Sequence, residues 1–414
     1  MSLVHRLRLA AVTAAVAMTA ACGSADFAPM PAAQLDVADW SAVREAAAGQ
    51  TVNWYMYGGD DTLNRFVNGY LADRLEQEHD VTLEQVKITD TVEAVNKVLG
   101  EKQAGRNTDG SVDLIWINGE NFATGRQANL WYCGYDQALP NAKYVDFTAP
   151  AVRNDFGMPV DGCESPWQQA NSAVVYDSAK LSADDVASVD ALFAWAKANP
   201  GRFTYPAPPD FTGSMAVRTF FYATAGDVEP FAGEFDEATF QPVADELFPR
   251  LVDIEPALWR EGRTYPNSQT QLERLYADGE VDAFFTYGPG AVSEQVSKGV
   301  FPESTREAVL DIGNIGNVSF VAIPYNSPRK AAALTVANML LDPQTQLELY
   351  RAEGAYPAIE LDQTEPAVQQ EFANVQLSKS VLPIEALTEN ALPELASGYV
   401  TKIEKDWRTR VLQR

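Results

Sequence analysis

The chain has 414 residues, 46% hydrophobic and 21% charged, and its 57 acids against 31 bases set a formal charge of −26. That length exceeds one ordinary core and predicts two folded lobes, and the composition is that of a globular protein. The acid excess, with no basic run longer than Arg329-Lys330, sets nucleic acid aside as a partner, because polyanion binding draws on clustered Lys and Arg.

At the start, Arg6 and Arg8 precede an uncharged run over residues 9–21 rich in Ala, Val, Leu and Met. This reads as a secretory signal, too short to span a bilayer permanently. Thr19-Ala20-Ala21-Cys22 resembles the bacterial lipobox, although Thr19 stands where leucine is commonest. The resemblance implies cleavage of residues 1–21 and lipid on the Cys22 sulfur, with ordinary secretion by cleavage near the Ala-Ala pair as the alternative. The expected location is the cell envelope, lipid-anchored to the outer face of the cytoplasmic membrane or in the periplasm. Residues 22–36 are small, polar and proline-containing, suited to a tether. Of the three cysteines, Cys133 and Cys163 remain for a compartment where disulfides persist, so a bridge between them is expected, two buried thiols being the alternative.

A short helix is predicted after Asp39. Residues 51–57 read as a buried strand ending in Gly58-Gly59. Leu63, Phe66, Val67, Tyr70, Leu71 and Leu75 then recur at spacings of three and four, which predicts an amphipathic helix on a sheet. Strands are predicted over 81–88 and 112–117 with a helix over 91–103 between them, and Asn118-Gly119-Glu120-Asn121 follows the third strand. A second β/α region runs from 170–176 through a helix over 188–198 to a strand at 203–205. The alternation predicts an α/β fold whose ligands bind beyond the carboxyl ends of the strands.

Several segments together carry a likeness: Asp113 to Phe122, the run RFTYPAPPDFTGS over 202–214, Gly316 to Pro324, Leu341-Asp342-Pro343-Gln344-Thr345-Gln346, and the opening Trp54 to Asp60. On these residues the chain resembles the extracellular solute-binding proteins of bacterial ABC importers, close to the YnjB-like subfamily. The resemblance implies a two-lobed type II periplasmic-binding fold, each lobe a mixed sheet flanked by helices and joined by hinge segments. Lobe 1 would take 37–168 plus 312–345, and lobe 2 would take 169–311 plus 346–414. Hinges are expected near Gln168 to Ser172 and Gly313 to Val318, where a few residues absorb the rotation of closure.

Ligand pockets favour domain interfaces lined by aromatics and a few polar groups. From lobe 1 the candidates are Tyr57, Gly58, Gly59 and Asp60, then Asn118, Glu120 and Asn121. Near the hinges stand Trp167, Gln168, Asn171 and Asn317. Lobe 2 contributes Tyr205, Phe211, Thr212, Gly213, Ser214 and Tyr287. Glu120 is the acid chosen to pair with a cation, and facing aromatics suit a cation with an apolar body, each stack contributing about 0.5–2 kcal/mol.

Catalysis is not expected. His79 is the only histidine beyond the signal, which disfavours a Ser-His-Asp triad or a multi-histidine metal site, and neither a Walker A loop nor a dinucleotide fingerprint is present. No cofactor and no metal are expected. The function expected is capture of a small polar solute, of cationic character, between the lobes, and its delivery by a monomer to an ABC permease and its ATPase. A structural or adhesive surface lipoprotein, or a carboxylate-based hydrolase, is the alternative.

Overall fold

The computed structural model describes residues 35–413 except 288–289, 376–379, 384–385 and 388–389. The signal, Cys22 and nearly all of the tether lie outside the described residues. The core of the architecture is a sheet in the order β2-β1-β3-β9-β6-β7, with β10 paired to β9 and β8 to β6. These strands are β1 (Gln50–Tyr57), β2 (Val81–Ile88), β3 (Leu114–Ile117), β6 (Ser165–Asp177), β7 (Ala283–Tyr287), β8 (Thr305–Ala308), β9 (Asn314–Ala322) and β10 (Ala391–Leu392). A separate two-stranded hairpin joins β4 (Asn154–Asp155) to β5 (Met158–Pro159).

The local reasons are plain in the residues. In β1, Val52, Trp54 and Met56 face inward at the period of two that a half-buried strand demands. The first amphipathic stretch forms helix over Asp61–Phe66 and Ala72–His79, with a π turn over Val67–Leu71 between them. Of the predicted strand at 203–205, only a single bridge, Phe203 to Ala283, is present, because Pro206 follows directly and supplies no donor for a ladder.

β6 is thirteen residues long, about 43 Å at strand rise, and this length positions the site. Its first part pairs antiparallel with β9, Gln168 opposite Ser319 and Asn171 opposite Gly316, and its second part lies between β7 and β8. The two segments expected to cross between lobes are therefore hydrogen-bonded neighbours. One apolar cluster, including Ile115, Ile117, Phe122 and Phe320, packs on the first part of the sheet. Another, including Phe203, Phe220, Phe248, Phe285 and Trp407, packs on the second.

Cys133 and Cys163 are joined by a disulfide. Among the described residues no helix is long and apolar enough to cross a membrane.

One buried acid gives a pH-dependent expectation. The side chain of Glu307 on β8 accepts a hydrogen bond from the Leu382 amide through Oε2, while Oε1 is buried without a partner. Burial pushes its pKa up to about 9, only partly opposed by the Leu382 bond. The folded state thus holds a proton that the unfolded chain releases near pH 4.3, and stability falls as pH rises from there toward 9. Glu307→Gln is expected to stabilise the protein by about 2 kcal/mol at pH 8 and much less at pH 4, as read by urea unfolding at both values.

Candidate functional site

Where the two parts of the sheet meet, residues remote in sequence come into contact. Tyr57, the last residue of β1, shares a 3.1 Å hydrogen bond with Thr270 in the helix Gln269–Ala277. Burial raises the pKa of the Tyr57 hydroxyl, and Glu273, Asp210 and Asp60 add to that rise. A Cβ at Gly59 would lie 2.1 Å from the Tyr57 hydroxyl, so only glycine lets the tyrosine fold back over its own loop. Nearby, Arg65 forms an ion pair of 2.6 Å with Glu294 in the helix that follows β7.

A second zone lies beside it. Asn118 donates to Asn317 Oδ1 at 3.1 Å and to the Val318 carbonyl at 2.6 Å, tying the loop after β3 to β9. Glu120 keeps solvent exposure, but partial desolvation raises its carboxyl's pKa, with Glu404 and Asp90 adding like charge and Arg218 opposing them. Burial likewise raises Glu404, although Ser214 donates to it at 2.6 Å. Burial holds Asp210 up as well, and pushes Glu273 up to about 7. This is an acid-rich interface whose carboxylates repel one another.

Aromatic side chains border the acids. Phe211 opens the helix Phe211–Ala225, and although large and apolar it remains 46% exposed. Its ring lies 5.1 Å from that of Tyr287 and 6.3 Å from that of Phe156, which the β4–β5 hairpin carries. Beneath them runs a buried polar network. The Arg218 guanidinium, 1% exposed, pairs with Glu394 at 3.1 Å and donates to Ser214 Oγ at 2.7 Å and to the Tyr287 hydroxyl at 3.3 Å. Tyr287 in turn donates to Glu394.

The positions chosen from sequence divide accordingly. Tyr57, Asn118, Glu120, Phe211, Ser214 and Tyr287 are brought together at or beside the interface. Asn171 and Asn317 lie on the paired hinge strands, and the buried Nδ2 of Asn171 has no partner. Gln168 is buried on β6, and Asn121 is half-buried in the helix after β3.

Others are corrected. Trp167 is wholly buried, edge-on to Trp54 and Trp116 at 5.4 and 5.1 Å. Tyr205 is also wholly buried and accepts a hydrogen bond from Trp407 Nε1 at 3.1 Å. Both serve core packing, the commoner fate of a large aromatic. Asp60 accepts from the Thr62 and Leu63 amides and Asp210 from the Gly213 amide, so both helix starts facing this region are capped from within the chain rather than open to an anion. Gly213 itself is demanded by packing, a Cβ there lying 2.1 Å from the Pro206 carbonyl oxygen. Gly58 meets Lys87 in the same way, and Thr212 is buried.

Sequence reasoning missed Arg218, Glu394, Glu404, Thr270 and Phe156. For Arg218 a signal existed: a lone charge inside the apolar run 215–222 must find a buried partner. Glu394 and Glu404 gave none, since they arrive from the far end of the chain.

Residues 70–374 match the model of a family described as bacterial extracellular solute-binding protein. The chain is 35% identical over 375 residues to Protein YnjB of Escherichia coli K12, covering 90% of this chain and 94% of that protein. Among solved structures, an ABC transporter substrate-binding protein of Bradyrhizobium japonicum shares the fold with TM-score 0.63 at 18% identity, over 87% of this chain and 99% of that one. A spermidine/putrescine ABC transporter substrate-binding protein of Streptococcus pneumoniae does so with TM-score 0.58 at 12% identity, over 87% and 99%.

Proposed function

Because the chain belongs to the bacterial extracellular solute-binding protein family, whose members bind and do not catalyse, we propose that it captures a small organic cation between its lobes for an ABC importer. The observation that carries this reading is a group of mutually repelling carboxylates, Glu120 with Glu404 and Asp90, together with the exposed ring of Phe211. A bound cation relieves that repulsion, and its apolar body covers the aromatic face. A cationic solute also accords with what the Streptococcus pneumoniae protein's name says it carries.

In this reading lobe 1 takes 37–168 with 312–345, lobe 2 takes 169–311 with 346–414, and rotation about β6 and β9 closes them on the solute. Cys22 anchors the chain by lipid in the cell envelope, and the loaded monomer meets the permease and its ATPase. Glu120→Gln keeps the shape but removes the charge, and is expected to weaken the cation of highest affinity by about tenfold, or about 1.4 kcal/mol. Calorimetric titration of both proteins tests this. Equal affinities would remove Glu120 from the site.

A further inference from the structure

The bridge between Cys133 and Cys163 has two unlike ends. Cys133 is exposed, while Cys163 is 0% exposed. Arg126 Nη1 stands 2.6 Å from the Cys163 sulfur but 3.7 Å from that of Cys133. Its other terminal nitrogen is held by Asp161 at 2.8 Å, so the guanidinium is fixed over the buried sulfur. A cation beside a sulfur favours its thiolate, and a thiol of lower pKa leaves faster in exchange. Reach and leaving-group chemistry therefore select the same direction.

We propose that this bridge is a site of directional thiol–disulfide exchange, in which an external dithiol attacks Cys133 and Cys163 departs as a thiolate held by Arg126. In the first step the reagent thiol gives its proton to solvent and its sulfur bonds to Cys133 Sγ. The Cys133–Cys163 bond breaks and its electron pair stays on Cys163 Sγ. In the second step the reagent's other thiolate displaces Cys133, so the dithiol leaves oxidised by two electrons and the protein keeps two reduced cysteines. Arg126 lies in the helix Gly119–Gln127, which begins at the Asn118-Glu120 loop, and Cys163 stands two residues before β6, so exchange acts on a joint between that loop and the long strand.

The test uses glutathione, a monothiol whose first attack leaves a mixed disulfide, on the full chain near neutral pH and at short reaction times. Iodoacetamide then traps the freed thiol, and peptide mass mapping keeps Cys22 separate. Expected is glutathione on Cys133 with alkylation of Cys163. A reaction about tenfold slower is expected in Arg126→Gln, with Arg126→Lys close to the parent. Glutathione on Cys163, an even split, no adduct on either, or an unchanged rate in Arg126→Gln would overturn the proposal. Should Arg126→Gln fail to fold, the mapping on the parent chain and the Arg126→Lys rate still decide it.

Discussion

Arg218→Met is expected to destabilise the fold by about 3–5 kcal/mol, because removing one member of a buried ion pair leaves the other charge uncompensated. Glu394 is that other charge, its side chain 6% exposed. Burial raises its pKa and Arg218 is the first of the groups opposing the rise. Without the guanidinium the carboxyl would hold its proton to higher pH, so the deficit should shrink as pH falls. The Tyr287 hydroxyl and Ser214 Oγ would also lose a donor. Urea unfolding at two pH values measures the effect, and a loss below about 1 kcal/mol would show that the buried pair contributes little to the fold. Adding Glu394→Leu to Arg218→Met should restore part of the loss, since two apolar groups leave no buried charge behind.

Removing the disulfide by replacing both Cys133 and Cys163 with Ser should cost about 3–4 kcal/mol in the chain-entropy treatment of a closed loop. The two cysteines are 30 residues apart, and the loop they close lies between the helix Gly119–Gln127 and β6. The midpoint of denaturant unfolding should fall and the slope should rise, because the unlinked denatured chain is less compact and exposes more surface. A midpoint equal to that of the parent would mean that the apolar cluster shared by Trp131, Val160 and Cys163 fixes the loop without the bridge.

What the sequence revealed and what it hid follow one physical rule. The strands β1, β2 and β3 and the loops after them were readable because apolar periodicity is a local property, and Gly58-Gly59 and Asn118-Gly119 mark strand ends. The segments 168–172 and 313–318 were singled out as hinges through resemblance, and they pair with each other in β6 and β9. Trp167 and Tyr205 were misplaced because composition does not distinguish a ring that stacks on a ligand from one that packs against Trp54 or Trp407. The Arg218–Glu394 pair joins residues 176 apart, and no local pattern encodes such a contact. Phe156 was overlooked for the same reason: it reaches Phe211 only because the β4–β5 hairpin turns toward the second lobe.

Whether the protein holds a cation is read by native mass spectrometry of the gently purified protein, followed by thermal-shift titration with thiamine and its phosphates, polyamines, betaines, amino acids and sugars. Expected is a retained cationic mass, or one cation raising the melting temperature with dose while neutral sugars leave it unchanged. Saturable stabilisation by a neutral sugar with none by any cation, or no response across the panel, would contradict it.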